Sequence, residues 1–436
     1  MRSDIVMAMG IVGITSYKDV VCRLMLMAAV ALSLVSCDAG NDGVAGNGSH
    51  DGTEYADVPV TLNITAGYAG EGSVTRAPKL SNDEDTDEEN RINIEDEDYS
   101  ILIFKETATA GGTTDMVFAE RFVPLAVTKV DNTKERLYTL QGMISVSAAL
   151  KENPAAQDKY TIMILANWRS FGYEYDNLSL EKDVTTVGDV VEQARQKPYT
   201  LPAAPWQPYK NGRKGIPMCG VKEFTLTGSD IKSGTELEIA TETDPIMMLR
   251  AVAKIEIIDN LYAGKRDADC GVKVASVSRY NKTGTLICDL KNNPYWDVED
   301  RQVDTPTLPA ITPEQAADLE MQPAGTDDAG RPVWAVYVPE FDMSKLMTPG
   351  DVLRPAVKLQ IRKPGSDPTL LGYIVDMADY GGGSTPVITD EYHYILRNHI
   401  YRFELTGSPD NPNRNITINY TVCPWDERTA GDITFE

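Results

Sequence analysis

Apolar and polar side chains alternate at period two in short runs along most of this chain, and Gly, Pro, Asn and Asp divide the runs. Such alternation sets one side of a strand in a core and the other in water. Two runs share the pattern most closely. Near the start, Val58, Val60, Leu62, Ile64 and Ala66 alternate with Pro59, Thr61, Asn63 and Thr65. Near the end, Ile416, Ile418, Tyr420 and Val422 alternate with Thr417, Asn419 and Thr421. Pro424-Trp425 breaks that strand, and a shorter one resumes from Ile433 to Phe435. The matching alternation predicts that the tail, 415–436, can take the place of the early strand.

Between the two lie further predicted strands. Tyr99–Phe104, Met116–Phe122, Arg136–Leu140, Tyr160–Ala166, Lys222–Thr227 and Glu236–Ala240 join Val58–Ala66 to make seven, the number for a small sandwich. Thr186 caps a predicted short helix to Arg195, whose Val187, Val190, Val191 and Ala194 share a face. Asp244-Pro245 marks a boundary, so a first sandwich is expected over 58–243 and a second over 244–436. The second opens on Leu249–Ile258, with Arg250 and Lys254 flanking the core. Val272–Tyr280, Thr285–Asp289, Val333–Val338, Ala356–Arg362, Leu371–Met377, His399–Leu405 and the tail follow, with a short helix expected over Thr312–Leu319.

The first 36 residues read differently. Leu24–Ser36 is an apolar run behind Lys18 and Arg23, too short to span a bilayer comfortably and suited to a signal-peptide core. Leu34-Val35-Ser36-Cys37 looks like the lipobox of bacterial lipoproteins, which makes Cys37 the lipidation residue and 37–57 a Gly/Asp/Asn/Ser tether. Residues 58–76 then form a removable strand ending at Arg76-Ala77, followed by an acidic loop, 77–98. Like charges keep such a run extended and open to a protease. Asp83, Asp85 and Asp87 imitate the start of an EF-hand, but Glu88 and Ile94 occupy the positions that need Gly and Glu.

The formal net charge of −24 argues against nucleic acid or an anionic membrane surface as partner, leaving membrane contact to the lipid anchor. No nucleophile elbow, zinc-protease helix, phosphate loop or dinucleotide fingerprint occurs, so neither an enzyme, a metal nor a cofactor is expected. His50, His393 and His399 form no catalytic spacing. Beyond Cys37, the mature cysteines are Cys219, Cys270, Cys288 and Cys423, with no zinc-ligand spacing. Cys270–Cys288 is the nearest pair for a disulfide, three complete pairings are open, and burial as small hydrophobes is the equal alternative.

With both ends read, the sequence resembles the FimA-like fimbrillin family, the major subunits of the lipoprotein-derived (type V) pili of Bacteroidia. Four stretches carry the resemblance. They are the lipobox at Cys37, the early strand followed by Thr75-Arg76-Ala77, Leu249–Ile255, and a C-terminal block. That block contains Arg397–Tyr401, Leu405-Thr406-Gly407, Asn411-Pro412 and Val422-Cys423-Pro424-Trp425. The resemblance implies an all-β fold of two transthyretin-like seven-stranded β-sandwich domains in tandem. It also implies lipoprotein export to the outer membrane, cleavage by an arginine-specific protease, and polymerisation by donor-strand exchange into an extracellular fimbrium for adhesion and biofilm formation. The implied partners are other copies of the chain, related pilus subunits, the lipoprotein export machinery and the protease. The alternatives are a monomeric surface lipoprotein that binds glycan or protein, and a pilus anchor or tip subunit.

Overall fold

The computed structural model describes residues 55–65, 89, 91–108, 112–129, 137–201, 208, 215–241, 244–287, 318–327, 329–342, 356–365, 369–376, 394–395, 397–409 and 416–424. All belong to the second of two compact units, Glu54–Glu436. The protein is built mainly of β-strands. In chain order the first are β1 (Tyr55–Thr65), β2 (Tyr99–Ala108), β3 (Thr114–Phe122), β4 (Ala126–Lys129), β5 (Leu137–Ser147), β6 (Gln157–Ala166), β7 (Tyr199–Thr200), β8 (Met218–Thr227), β9 (Leu237–Ala240) and β10 (Ile246–Arg250). Among the described residues three short α-helices accompany them: α1 (Ala148–Glu152), α2 (Val187–Arg195) and α3 (Gly228–Lys232).

Nine of these strands form one sheet in the order β3-β2-β6-β8-β10-β1-β5-β4, with β9 also on β1. Alternation is legible in β5, where every second side chain from Tyr138 to Val146 is buried. β6 is different: Tyr160 to Ala166 are all buried, as a strand covered on both sides requires. Helix α2 begins where expected. Thr186 accepts from the Asp189 N–H at 3.1 Å and donates its own N–H to the Asp189 carboxylate at 2.8 Å, a reciprocal cap. Val190, Val191 and Ala194 are its buried face.

The remaining strands are β11 (Val252–Leu261), β12 (Gly271–Ser278), β13 (Thr283–Gly284), β14 (Leu319–Glu320), β15 (Gln322–Thr326), β16 (Pro332–Pro339), β17 (Phe341–Asp342), β18 (Ala356–Arg362), β19 (Leu370–Asp376), β20 (Tyr394–Ile395), β21 (His399–Gly407) and β22 (Thr417–Pro424). They make a five-stranded sheet, β15-β16-β11-β21-β22, and a four-stranded sheet, β14-β12-β18-β19, with a second hydrophobic core that includes Ile255, Ile257, Val277, Leu359 and Phe403. β11 is the centre of the five-stranded sheet, and every residue in it except Asn260 is buried.

Four sequence expectations change. The strand expected over Leu249–Ile258 is two strands: β10 pairs with β8 and β1, and β11 begins after Ala251 in another sheet. Ala251 has no exposed surface, and its carbonyl accepts from the Tyr199 hydroxyl at 2.7 Å. Arg250 and Lys254 do not flank the core but are buried, because each finds polar partners there. Leu319, expected to end a helix, lies in β14. Thr285, Leu286 and Ile287, expected to begin a strand, follow the two-residue β13 without forming one. β13 instead pairs with β7, and Gly284 is needed there: a Cβ would come within 2.8 Å of the Tyr199 ring.

Candidate functional site

β1 is the most enclosed of the predicted site elements. All eleven of its residues pair antiparallel with β5, from Tyr55–Ser147 to Thr65–Leu137. On its other edge β9 runs parallel along Val60 to Leu62, and β10 runs parallel at Ile64 and Thr65. Val58, Val60, Leu62 and Ile64, the residues expected to leave, are buried in the first core. Each is 3 % exposed or less. The alternation therefore has the physical basis read from the sequence: one side chain in two is enclosed by apolar neighbours.

The opposite parity is where sequence reasoning missed something. Asn63 is 2 % exposed. Its Nδ2 donates to the Ala240 carbonyl at 2.8 Å and to Glu238 Oε1 at 3.3 Å, and its Oδ1 accepts from the Thr139 hydroxyl at 2.8 Å. Thr65 is fully buried, and the Thr61 hydroxyl donates to the Glu236 carboxylate, which also accepts from Gln141 Nε2 at 3.0 Å. The signal was an amide inside an apolar alternation: such a side chain must be satisfied when buried.

The acidic run is only partly the open loop expected. Ser81–Asp87 lies outside the described residues, as does the Asp83-Asp85-Asp87 triplet, but Glu89 and Arg91–Asp98 are anchored. Ile92 is buried in the first core, and its N–H donates to the Tyr138 hydroxyl at 3.0 Å. Asn93 N–H donates to Asn167 Oδ1 at 3.0 Å. The Asp98 carboxylate accepts from the N–H groups of Arg169 and Ser170 at 2.9 and 3.2 Å and from the Tyr175 hydroxyl at 2.9 Å. Glu89 reaches the start of the second set of sheets. Its carboxylate meets Lys254 Nζ at 2.8 Å and accepts from the Tyr337 hydroxyl, while its carbonyl accepts from Arg250 Nε at 3.1 Å. Lys254 is also 2.7 Å from Glu256, which Arg402 engages through Nε and Nη2 at 3.1 Å each. Burial alone would pull the Lys254 ammonium down, but Glu256 and Glu89 outweigh it and hold its pKa above the ordinary lysine value. Burial likewise pushes Glu256 up, and Lys254 and Arg402 outweigh it to hold that carboxyl below its ordinary value.

The tail is placed quite differently from β1. β22 pairs antiparallel with β21, from His399–Pro424 to Thr406–Thr417, and is the edge strand of the five-stranded sheet. Ile416, Ile418 and Tyr420 are half-buried against the second core, with the Tyr420 and Phe403 rings 4.6 Å apart. Val422 stands opposite Tyr401. The early strand and the tail are thus not brought together; they lie in separate sheets over separate cores. Cys37, Arg76, Ala77, Ile433 and Phe435 lie outside the described residues, as does Cys288. Cys219 and Cys270 are buried, and Cys270 Sγ is 3.4 Å from the Asp267 carbonyl. His399 Nδ1 is 2.8 Å from the Arg397 carbonyl.

No protein-family model and no curated protein matches the sequence. Several solved structures can be superposed on it loosely. The tip fimbrial protein Mfa3 from Porphyromonas gingivalis with C-terminal truncation aligns over 85% of this chain and 100% of that one, at 14% identity and a TM-score of 0.45. A fimbrial assembly protein from Parabacteroides distasonis aligns over 86% and 98%, at 12% identity and a TM-score of 0.41. The fimbrial anchor protein Mfa2 from Porphyromonas gingivalis aligns over 85% and 98%, at 10% identity and a TM-score of 0.27.

Proposed function

We propose that this chain is a structural pilus subunit of the fimbrillin type, exported as a lipoprotein anchored at Cys37, cut after Arg76, and polymerised by donor-strand exchange. One observation supports it above the others: β1 is a central, buried strand whose covalent link to the strands that follow it passes through Arg76. Cutting at Arg76 makes β1 a separate peptide. Its departure would leave unpaired N–H and C=O groups along β5, β9 and β10, a template for another strand. Four apolar side chains, at ~1.5–3 kcal/mol each, give on the order of 6–12 kcal/mol for refilling the slot before ordering costs. A tail given by each copy and a slot offered by each make a heterologous contact that does not close, hence a filament. The assembled form would be an extracellular fimbrium serving adhesion and biofilm formation.

The tail's place on β21 is what a monomeric surface lipoprotein would also have. Treating the exported chain with an arginine-specific protease separates the two. A ladder of multimers on mild SDS gels is expected from the wild type and none from Arg76→Ala. Cleavage without multimers would overturn the pilus reading in favour of the monomer.

A further inference from the structure

The slot around β1 is not purely apolar. Ala240 C=O, Glu238 Oε1 and the Thr139 hydroxyl all converge on Asn63, and Glu236 takes the Thr61 hydroxyl. A strand that replaces β1 must bring two amide donors and an acceptor to one buried point, or leave polar groups stranded there. Of the side chains at outward positions of the tail, only asparagine does both jobs. Asn419 is the asparagine with an apolar residue on each side, Ile418 and Tyr420. When Asn419 is set on Asn63, the neighbours agree as well. Thr61-Leu62-Asn63-Ile64-Thr65 lies over Thr417-Ile418-Asn419-Tyr420-Thr421, with both threonines matched and apolar residues over apolar ones. The matched threonines also have work to do in β1: Thr61 bonds Glu236, and Thr65 is fully buried. On β22, by contrast, Thr417 and Asn419 are exposed. Their chemistry is not used to bury the tail where it now lies.

We propose that Asn419 of a second copy is the register-setting residue of the exchanged strand, taking the polar point vacated by Asn63. This rests on the strand-exchange reading above. The incoming strand then runs antiparallel to β5, as β1 does, with Ile416 in the place of Val60, Ile418 in that of Leu62 and Tyr420 in that of Ile64. The competing register, two residues away, puts Ile416 at Val58 and Val422 at Ile64. It fills every apolar position of β1 but sets Thr421 on the asparagine point, where a hydroxyl supplies one donor in place of two. A slip of this kind keeps the inward and outward faces in phase. The proposed register sets Arg414 at the place of Val58, near the end of the slot, so the buried polar point at Asn63 must outweigh that loss to select it, as a buried asparagine selects register in a coiled coil.

The test uses the full exported chain, cut with an arginine-specific protease and still holding its labelled N-terminal fragment by pairing alone. Synthetic peptide 411–422 in excess is added, and release of the fragment is followed. Asn419→Ala in the peptide is expected to raise the concentration for half-release roughly 10- to 100-fold, with Asn415→Ala within about twofold. Asn419→Asp, which loses both donors and meets Glu238, is expected to be weaker still. Register is read directly by disulfide trapping with a Thr417→Cys peptide, which keeps Asn419, since Gln141 is the residue opposite position 61 and Met143 the one opposite position 59. The peptide is expected to trap on a Gln141→Cys chain and not on a Met143→Cys chain. Trapping on Met143→Cys, or an unchanged half-release for Asn419→Ala, would overturn the register while leaving strand exchange intact. A wild-type peptide that releases nothing would overturn strand exchange itself.

Discussion

Leu62→Ala and Ile418→Ala should exchange their consequences when the protein is cut and assembled. In the uncut chain Leu62 has no exposed surface and packs in the first core, so its truncation leaves a cavity costing about 3–5 kcal/mol. Ile418 is half-buried on an edge strand with one neighbour, and half the area gives about 1–2 kcal/mol. Urea melts of the uncut chain, followed through fluorescence of the fully buried Trp168, should show Leu62→Ala lowering the midpoint two to three times as far. On the strand-exchange reading the order reverses in multimers, since Leu62 would leave with the early strand and Ile418 would become the enclosed residue. The temperature at which the SDS ladder collapses should then fall for Ile418→Ala and hold for Leu62→Ala. Equal losses for the two variants in the uncut chain would refute the contrast drawn here between a central and an edge strand. A ladder weakened by Leu62→Ala would show that β1 remains in place.

The buried ion network makes two further predictions. Lys254→Met leaves Glu89 and Glu256 facing each other without the shared cation, and should cost about 3–5 kcal/mol in the same melts; adding Glu89→Gln should restore part of it. Because the Glu256 pKa is lowered on folding, its contribution is present above the ordinary glutamate value of 4.5 and is lost as pH falls through the folded value. Acid titration should therefore show wild-type stability declining below about pH 4.5, and a Glu256→Gln chain losing less over the same range. Finally, Thr186→Ala removes the reciprocal cap of α2 and should cost about 1 kcal/mol, read as a shift in the melting midpoint, with Thr186→Ser recovering most of it.

Much of this was legible in advance because a half-buried strand writes its geometry as alternation. β1 and the tail could be placed from spacing alone, and the cap of α2 from Thr186 and its apolar face; of β5 only the start was read, since Arg136–Leu140 stops short of its continuation to Ser147. What failed has physical causes too. Residues 81–98 have the composition of an open acidic loop, and composition carries no trace of the distant lysine that takes in Glu89. Lys254 and Glu256 look solvent-facing in a window of ten residues. They are buried because Glu89 and Arg402, far away in the sequence, complete their charges. The split of Leu249–Ile258 escaped notice because Arg250-Ala251-Val252 has no Gly or Pro at the point where the chain passes between sheets. Asn63 was counted as an outward-facing residue of an alternating strand, although Glu238 and Ala240 of β9 and Thr139 of β5 take up its amide.

The position of β1 in the strand order bears on timing. It alone connects β10 to β5, and β9 pairs only with it among the described residues. Taking it out first would cut the nine-stranded sheet into unequal pieces and strand β9, so an empty-slot species would be short-lived and prone to collapse or aggregation. Assembly by that route would be self-defeating. Replacement should instead advance residue by residue, the newcomer gaining backbone pairs as the old strand gives them up. The rate of filament growth should then climb with the concentration of incoming tails rather than level off at a fixed speed of spontaneous departure.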